Sequence, residues 1–306
     1  MTEEVVQIVQ KLTPVLGEPE GEALPLEGGI TNRNYSVTLG ARRYVIRVPG
    51  KDTDLLGIDR QAEKEANEHA ATAGVAPAVV AMLKDPPCIV TVFIDGRGME
   101  AEELREASSL VEVARSLRAI HESGVTLPID FDSFRVVERY AETAAGRGVE
   151  IPGAYERAHE HAGRIEAALS GPEHVPVPCH NDLLAANFLH DGEQIWIFDW
   201  EYAGMGDRYF DLGNFSVNNE LEEADQADLL EAYFGELPDQ RQRATLNLMR
   251  FMSDFREAMW GVVQSGVSEL DFDFNGYAAK HFDRMLATAA DAKFETWLEE
   301  ARGEAD

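Results

Sequence analysis

Residues 178–187 read Pro-Cys-His-Asn-Asp-Leu-Leu-Ala-Ala-Asn, so His180, Asp182 and Asn187 stand in the spacing H-x-D-x-x-x-x-N, and Asp199 follows further along. That spacing suits one kind of chemistry. Phosphoryl transfer needs a carboxylate to take the proton of the attacking hydroxyl. It also needs oxygen ligands that hold Mg2+ against a triphosphate, because the step depends on positioning and on neutralising charge. The loop offers Asp182 as the base and Asn187 as one ligand. Phe188-Leu189-His190 and Ile195-Trp196-Ile197-Phe198 flank Asp191-Gly192, a hairpin signal, and a chain returning through that hairpin offers Asp199 as the second ligand. The alternative, in which Asp182 caps a turn and Asp199 ends a strand, leaves their spacing around the hairpin without a purpose.

The nucleotide side of such a site also needs a cation. Arg47 stands in Tyr-Val-Ile-Arg-Val, flanked by apolar residues, where a planar guanidinium could bridge phosphate oxygens and a carboxylate. Its expected partner is Glu63 on the next helix, with Glu65 and Glu68 as neighbours on the same helix. An outward charge on an edge strand is the other reading of Arg47. The segment Gly28-Gly29-Ile30-Thr31-Asn32 lies between two strand patterns and could cover phosphates, with Thr31 and Asn32 as its polar members, but it is not a Gly-x-Gly-x-x-Gly loop.

The elements that must position these residues fall into two kinds. Residues 3–16 carry Val5, Ile8, Val9 and Leu12 at helical spacing. A strand up to Gly28, an alternating strand through Tyr35, Val37 and Leu39, and a strand over 44–48 then form three antiparallel strands. Residues 59–73 read as a helix stopped by Gly74. Apolar runs at 79–83 and 88–94 flank Asp85-Pro86-Pro87. From Leu110 onwards the pattern is mainly helical. The fold class predicted is α+β, a sheet with one helix followed by a larger helical part.

These residues resemble the choline and ethanolamine kinase family, within the wider aminoglycoside phosphotransferase and protein-kinase-like group. The resemblance rests on Gly-Gly-Ile-Thr-Asn-Arg-Asn-Tyr at 28–35, Val-Ile-Arg-Val at 45–48, Cys-His-Asn-Asp-Leu at 179–183 with Asn187, and Phe-Asp-Trp-Glu-Tyr-Ala at 198–203. Phe210-Asp211-Leu212-Gly213-Asn214 and Phe255-Arg256-Glu257-Ala258-Met259-Trp260-Gly261 extend it, so that it spans about residues 20–285. It implies a bilobal protein-kinase-like fold, with a nucleotide-binding small lobe over 1–94 and a lobe over 95–306 holding the catalytic loop and acceptor pocket. It further implies ATP held by a hinge around 92–96 that includes Phe93 and Ile94, Asp182 as base, Asn187 and Asp199 on Mg2+, and Arg47 on the phosphates. His180 and Asp211 would steady the loop.

A quaternary ammonium donates no hydrogen bond, so a selective acceptor site would use aromatic faces and nearby carboxylates. Trp200, Glu201 and Tyr202 follow Asp199 directly, and Glu257 and Trp260 lie at i and i+3 on one helix. Trp260 sits among Met and Phe and suits a core position equally well. The expected reaction is transfer of the ATP γ-phosphoryl group to the hydroxyl of choline or a related cationic amino alcohol. An aminoglycoside or other small acceptor remains open, and so does a nucleotide-binding scaffold without catalysis, although a scaffold needs neither base nor metal ligands.

Composition bounds the rest. The 306 residues carry 56 acidic and 27 basic side chains, a net charge of −29, which argues against nucleic acid or anionic membranes as partners and weakly favours a cationic substrate. Six lysines beside this acid excess would also fit a salt-adapted cytoplasm. The two cysteines form no C-x-x-C, and His159-Glu160-His161 points its histidines apart on a helix, so no cysteine-rich zinc site is expected. The start, with Glu3 and Glu4, shows no leader pattern, and no window of about 20 residues is free of charge. A soluble cytoplasmic protein is expected, with the oligomeric state open.

Overall fold

The computed structural model describes residues 2–26, 32–50, 53–171, 174–268 and 270–303. Helix α1 (Glu3–Leu16) turns Val5, Ile8, Val9 and Leu12 inward, as their spacing predicts. They meet Tyr35, Val37, Leu39, Tyr44, Ile46 and Val48 in one buried cluster. Each fully buried aliphatic side chain there contributes about 1.5–3 kcal/mol.

The sheet beneath α1 is built from β1 (Leu24–Leu26), β2 (Arg33–Leu39), β3 (Arg42–Val48), β4 (Val79–Lys84) and β5 (Pro87–Val92). Its order is β1-β2-β3-β5-β4 and every neighbouring pair is antiparallel. Side chains alternate faces along a strand. With Tyr44, Ile46 and Val48 committed to α1, Arg47 is turned to the opposite face, the one that α2 (Arg60–Thr72) approaches. Asp59 caps α2 by accepting from the Gln61 and Ala62 amides at 2.8 Å each.

Residues from 97 onward contain β6 (Arg97–Gly98), α3 (Ala101–Leu104), α4 (Ala107–His121), α5 (Ser133–Gly146), α6 (Tyr155–Ala168), β7 (Val177–Cys179), β8 (Phe188–His190), β9 (Ile195–Ile197), β10 (Gly204–Gly206), α7 (Arg208–Asn218), α8 (Glu223–Phe234), α9 (Gln240–Val267), α10 (Phe274–Ala289) and α11 (Phe294–Arg302). The architecture is the bilobal protein-kinase-like α+β fold. The β8–β9 hairpin forms as its sequence predicts, and Asp191 holds its turn by accepting from the Glu193 and Gln194 amides. The pairing of β7 with β10, and of β6 with β8, had no local signal, since each of these strands has two or three residues.

The 28-residue α9 is the axis of the helical part and is buried almost continuously from Ala244 to Gln264. Asp239 and Gln242 close its start in a capping box, each side chain accepting from the other's backbone amide at 2.7 and 2.9 Å. Gly213 lets α7 approach it closely, because a Cβ there would stand 2.8 Å from the Met249 carbonyl carbon. Helix α2 packs with this larger core rather than with the α1 cluster, through Ala66 and Ala70, with Leu56, Ile58, Val75 and Ala76 beside them. It is therefore the joint through which the sheet and the helical part share a site.

Candidate active site

The loop between β7 and the turn at 185–187 is held by hydrogen bonds to backbone groups that would otherwise be stranded. Asp211 on α7 accepts from the amides of His180 at 2.8 Å and Asn181 at 2.7 Å. His121 lies 3.0 Å from the same carboxylate through Nε2 and 2.7 Å from the Tyr233 hydroxyl through Nδ1. Burial opposes the charge on Asp211, yet its bond with His121 and the adjacent imidazoles hold its carboxyl below the usual range. Asn214 accepts from the Leu183 amide at 2.5 Å and donates to Ser253 on α9. Asn181 adopts a left-handed φ of 68°, which Asn tolerates better than most residues.

His180 serves the same loop. Its Nδ1 accepts from the Asp182 amide at 3.1 Å, which makes Nε2 the protonated nitrogen that donates to the Phe198 carbonyl at 2.7 Å. Burial pushes its pKa down, consistent with a neutral ring. His180 and Asp211 both bond to the backbone of this loop.

Asp182 is the focus of the loop. Asn187 donates through Nδ2 to the Asp182 carbonyl at 2.8 Å and lies 3.2 Å from Oδ2, which leaves Asn187 Oδ1 as its uncommitted oxygen. Arg256 on α9 reaches Asp182 Oδ1 at 3.2 Å and donates to the Asn181 carbonyl. Burial pushes the Asp182 carboxyl up to about 7, opposed by Arg256 and reinforced by Glu257 and Asp199. A carboxyl so placed can exchange a proton near neutral pH.

Asp199 follows β9 with φ 64° and ψ 61°, a left-handed conformation that turns its side chain back toward the sheet. Its Oδ1 accepts from Arg47 Nη1 at 2.5 Å, and Arg47 Nη2 donates to Glu63. The expected Arg47–Glu63 pair is present, and Asp199 completes it across 152 residues of chain. Glu65 bonds instead with Gln61, and Glu68 with Lys64. Burial opposes the Glu63 charge, but Arg47 and Arg60 hold its carboxyl below the usual range.

Several assigned residues stand elsewhere than expected. Trp200, expected at the acceptor, is 1% exposed, with its indole N–H donating to the Ile197 carbonyl and its ring centroid 4.5 Å from that of His180. It belongs to the core because the turn over 200–202 points it inward. Glu201, also assigned to the acceptor, faces α2, with Oε2 lying 3.4 Å from Arg60 Nη1. Burial and the Asp199 charge push its carboxyl up to about 8. Phe93 spends its backbone N–H on the Arg43 carbonyl and lies under the Arg43 guanidinium, so it has no amide left for a nucleotide. Ile94 beside it is half-buried. Thr31 and the glycines before it lie outside the described residues. Asn32 is buried, and neither atom of its side-chain amide has a partner among the described residues.

The remaining three residues assigned to the acceptor do converge. The Trp260 indole N–H donates to the Tyr202 hydroxyl at 2.9 Å, and Glu257 Oε1 stands 2.9 Å from Arg256 Nη1. Sequence reasoning missed four groups that complete this arrangement. Tyr277 on α10 donates to Glu257 Oε2 at 2.7 Å with its ring against Trp260. Tyr140 on α5 donates to the Leu56 carbonyl, and its hydroxyl feels the charges of Arg256, Glu257 and Asp182. Arg60 bonds Glu63 at 2.7 Å, and Arg256 bonds Asp182. Arg60 had a signal, being three residues before Glu63 on one helix face. Arg256 adjoins Glu257 in a motif already singled out, whereas Tyr140 and Tyr277 carry no local mark.

A sheet-borne cation paired to a helix carboxylate, a loop aspartate and a second aspartate after a hairpin define a phosphotransferase of the protein-kinase-like kind. Residues 22–246 match the model of the phosphotransferase enzyme family. The chain is similar to a choline/ethanolamine kinase family protein from Mesorhizobium loti, with 30% identity, 98% of this chain and 99% of that one covered, and a TM-score of 0.84. It is similar to the choline kinase LicA from Streptococcus pneumoniae in fold, with a TM-score of 0.79 at 22% identity over 94% of this chain and 99% of that one. Ethanolamine kinase 2 of Rattus norvegicus is 26% identical over 311 residues, covering 92% of this chain and 80% of that protein. The chain belongs to the phosphotransferase enzyme family and, within it, to the choline and ethanolamine kinases. Among the described residues no helix is long and apolar enough to cross a membrane.

Proposed function

We propose that the protein transfers the γ-phosphoryl group of ATP, with Mg2+, to the hydroxyl of choline, ethanolamine or a related small amino alcohol. One observation carries this reading: the Asp182 carboxylate lies between Asn187 on one side and the Arg256–Glu257 pair on the other, with Tyr202, Trp260 and Tyr277 adjoining that pair. A proton acceptor thus adjoins both a candidate metal site and a surface of aromatic faces and carboxylate that suits a cation.

In this reading the acceptor hydroxyl gives its proton to Asp182 as its oxygen bonds to the γ-phosphorus, and the bond from that phosphorus to the β–γ bridging oxygen breaks to release ADP. ATP lies under the five-stranded sheet, between residues 1–94 and 95–306, with Arg47 oriented on its phosphates by Glu63 and Asp199. Two oxygens fit a hard cation: among the described residues, Asn187 has Oδ1 left over, and Asp199 has Oδ2 left over once Arg47 takes Oδ1. Two protein oxygens would suit Mg2+, which would supply charge neutralisation when bound. The names of the relatives, choline kinase and ethanolamine kinase, support the amino-alcohol acceptor.

A panel of hydroxylated amines scored for ADP release, with and without Mg2+, tests the proposal. Choline or ethanolamine should turn over only with Mg2+ and faster than the background loss of ATP. Turnover of an aminoglycoside with neither amino alcohol would overturn the acceptor while keeping the reaction.

A further inference from the structure

Three charged side chains meet where the proposed acceptor binds, and two adjoin in sequence. Arg256 is 1% exposed and so is Glu257. The guanidinium touches the Asn181 carbonyl, Asp182 Oδ1 and Glu257 Oε1, and its carbon lies 4.9 Å from the centre of the Tyr202 ring. A buried cation is an unexpected neighbour for a cationic substrate, since like charges repel strongly where water is excluded. Its contacts explain its presence. Asp182 and Glu257 would together present two negative charges in a buried site, and Arg256 offsets one of them.

The pairing is incomplete among the described residues. Glu257 Oε1 is near Arg256 Nη1 but has no aligned hydrogen bond, and Arg256 Nε has no partner among the described residues. The carboxylate is fixed on its other side by Tyr277. By formal charge, the contacting side chains Asp182, Arg256 and Glu257 sum to one negative charge, which a single cation balances.

Resting on the reading of the site as an amino-alcohol pocket, we infer that Arg256 is the residue that matches the pocket to one positive charge, acting through Asp182 and Glu257 rather than by touching the reacting atoms. It is a positioning and specificity residue. Removing it leaves two buried carboxylates facing the acceptor, and removing the Glu257 charge leaves none in excess.

The two changes should move selectivity in opposite directions, which a merely structural role would not do. The test uses choline and its uncharged isostere 3,3-dimethylbutan-1-ol, so that shape is held constant and charge varies. The readout is the ratio of kcat/KM for choline to that for the neutral alcohol, at saturating Mg-ATP. Where a variant is too slow to assay, the ratio of binding constants from calorimetry replaces it. Arg256→Gln should raise the ratio at least tenfold while lowering both absolute rates, because the loop carbonyl and Asp182 lose their donor. Glu257→Gln should lower the ratio at least tenfold, and Arg256→Lys should restore the wild-type ratio to within about threefold. If Arg256→Gln does not fold, Arg256→Met, which removes the charge and keeps an apolar side chain of similar length, carries the same expected rise. A ratio unchanged in folded Arg256→Gln, or unchanged in Glu257→Gln, would overturn the inference while leaving the proposed function standing. Wild-type protein that phosphorylates no amino alcohol would overturn the proposed function, and the inference with it.

Discussion

Replacing Asp182 with Asn should make the protein more stable and nearly inactive, and the gain in stability should depend on pH. Burial pushes this carboxyl from the ordinary 3.8 up to about 7. Below pH ~4 the side chain is neutral in both folded and unfolded chains. Between ~4 and ~7 only the unfolded chain ionises, so the folded state loses stability as pH rises, and above ~7 it bears the full penalty. About three pH units correspond to roughly 4 kcal/mol. Asn removes that penalty but turns an NH2 toward Asn187 Nδ2, which in the wild type lies 3.2 Å from Asp182 Oδ2. That loss costs about 1 kcal/mol, leaving a gain of about 3 kcal/mol at pH 8 and nearly none at pH 5. With an unfolding entropy of about 2.1 cal/mol/K per residue, the pH 8 gain is an increase of about 5 °C in Tm. Calorimetric melts of both proteins in EDTA without nucleotide give the comparison, and turnover should fall at least 10²-fold in parallel. A variant that melts at or below wild type at pH 8 would refute the reasoning, because pairing with Arg256 would then outweigh burial.

Arg47→Met removes the cation shared by Glu63 and Asp199. It should cost roughly 3 kcal/mol in denaturant titrations and weaken binding of an ATP analogue at least tenfold by calorimetry. Asp199→Asn should raise the Mg2+ concentration needed for half-maximal turnover at least tenfold, and an unchanged Mg2+ curve would remove Asp199 from the metal. Asp211→Asn should lower kcat at least tenfold with acceptor KM within about twofold, since Asp211 positions the loop without reaching substrate. Because the Asp211 carboxyl is held below its ordinary range, its stabilisation is present above the unfolded pKa and is lost as pH falls. The wild type should therefore lose stability on acidification more steeply than this variant. Tyr277→Phe should raise acceptor KM a fewfold, read from initial rates, by freeing the Glu257 carboxylate.

What could be read from the sequence was local or periodic. The α1 face, the alternation of β2 and β3, the α2 stop at Gly74 and the β8–β9 hairpin each arise from neighbouring residues, and all appear where their patterns put them. The Asp182–Asn187 contact is also local, because five residues of loop bring the two side chains together. The Arg47–Asp199 bond joins residues 152 apart and had no signal in the sequence, which offers Arg47 only Glu63 as a partner. The acceptor side was the least legible. An aromatic next to a metal ligand looks like a substrate contact, but the turn at 200–202 buries Trp200 and gives Glu201 to Arg60, a rotation that no periodicity announces. Tyr140 and Tyr277 reach the site from separate helices, so only tertiary packing reveals them.

Phosphorus NMR of the reaction mixture tests the central claim most directly, since it follows the γ-phosphoryl group itself. Wild-type protein with Mg-ATP and choline or ethanolamine should convert the γ-phosphate signal into a phosphomonoester of the amino alcohol. EDTA should abolish that signal, and Asp182→Asn should reduce it at least 10²-fold. Inorganic phosphate as the sole product, or equal phosphomonoester from wild type and Asp182→Asn, would contradict it.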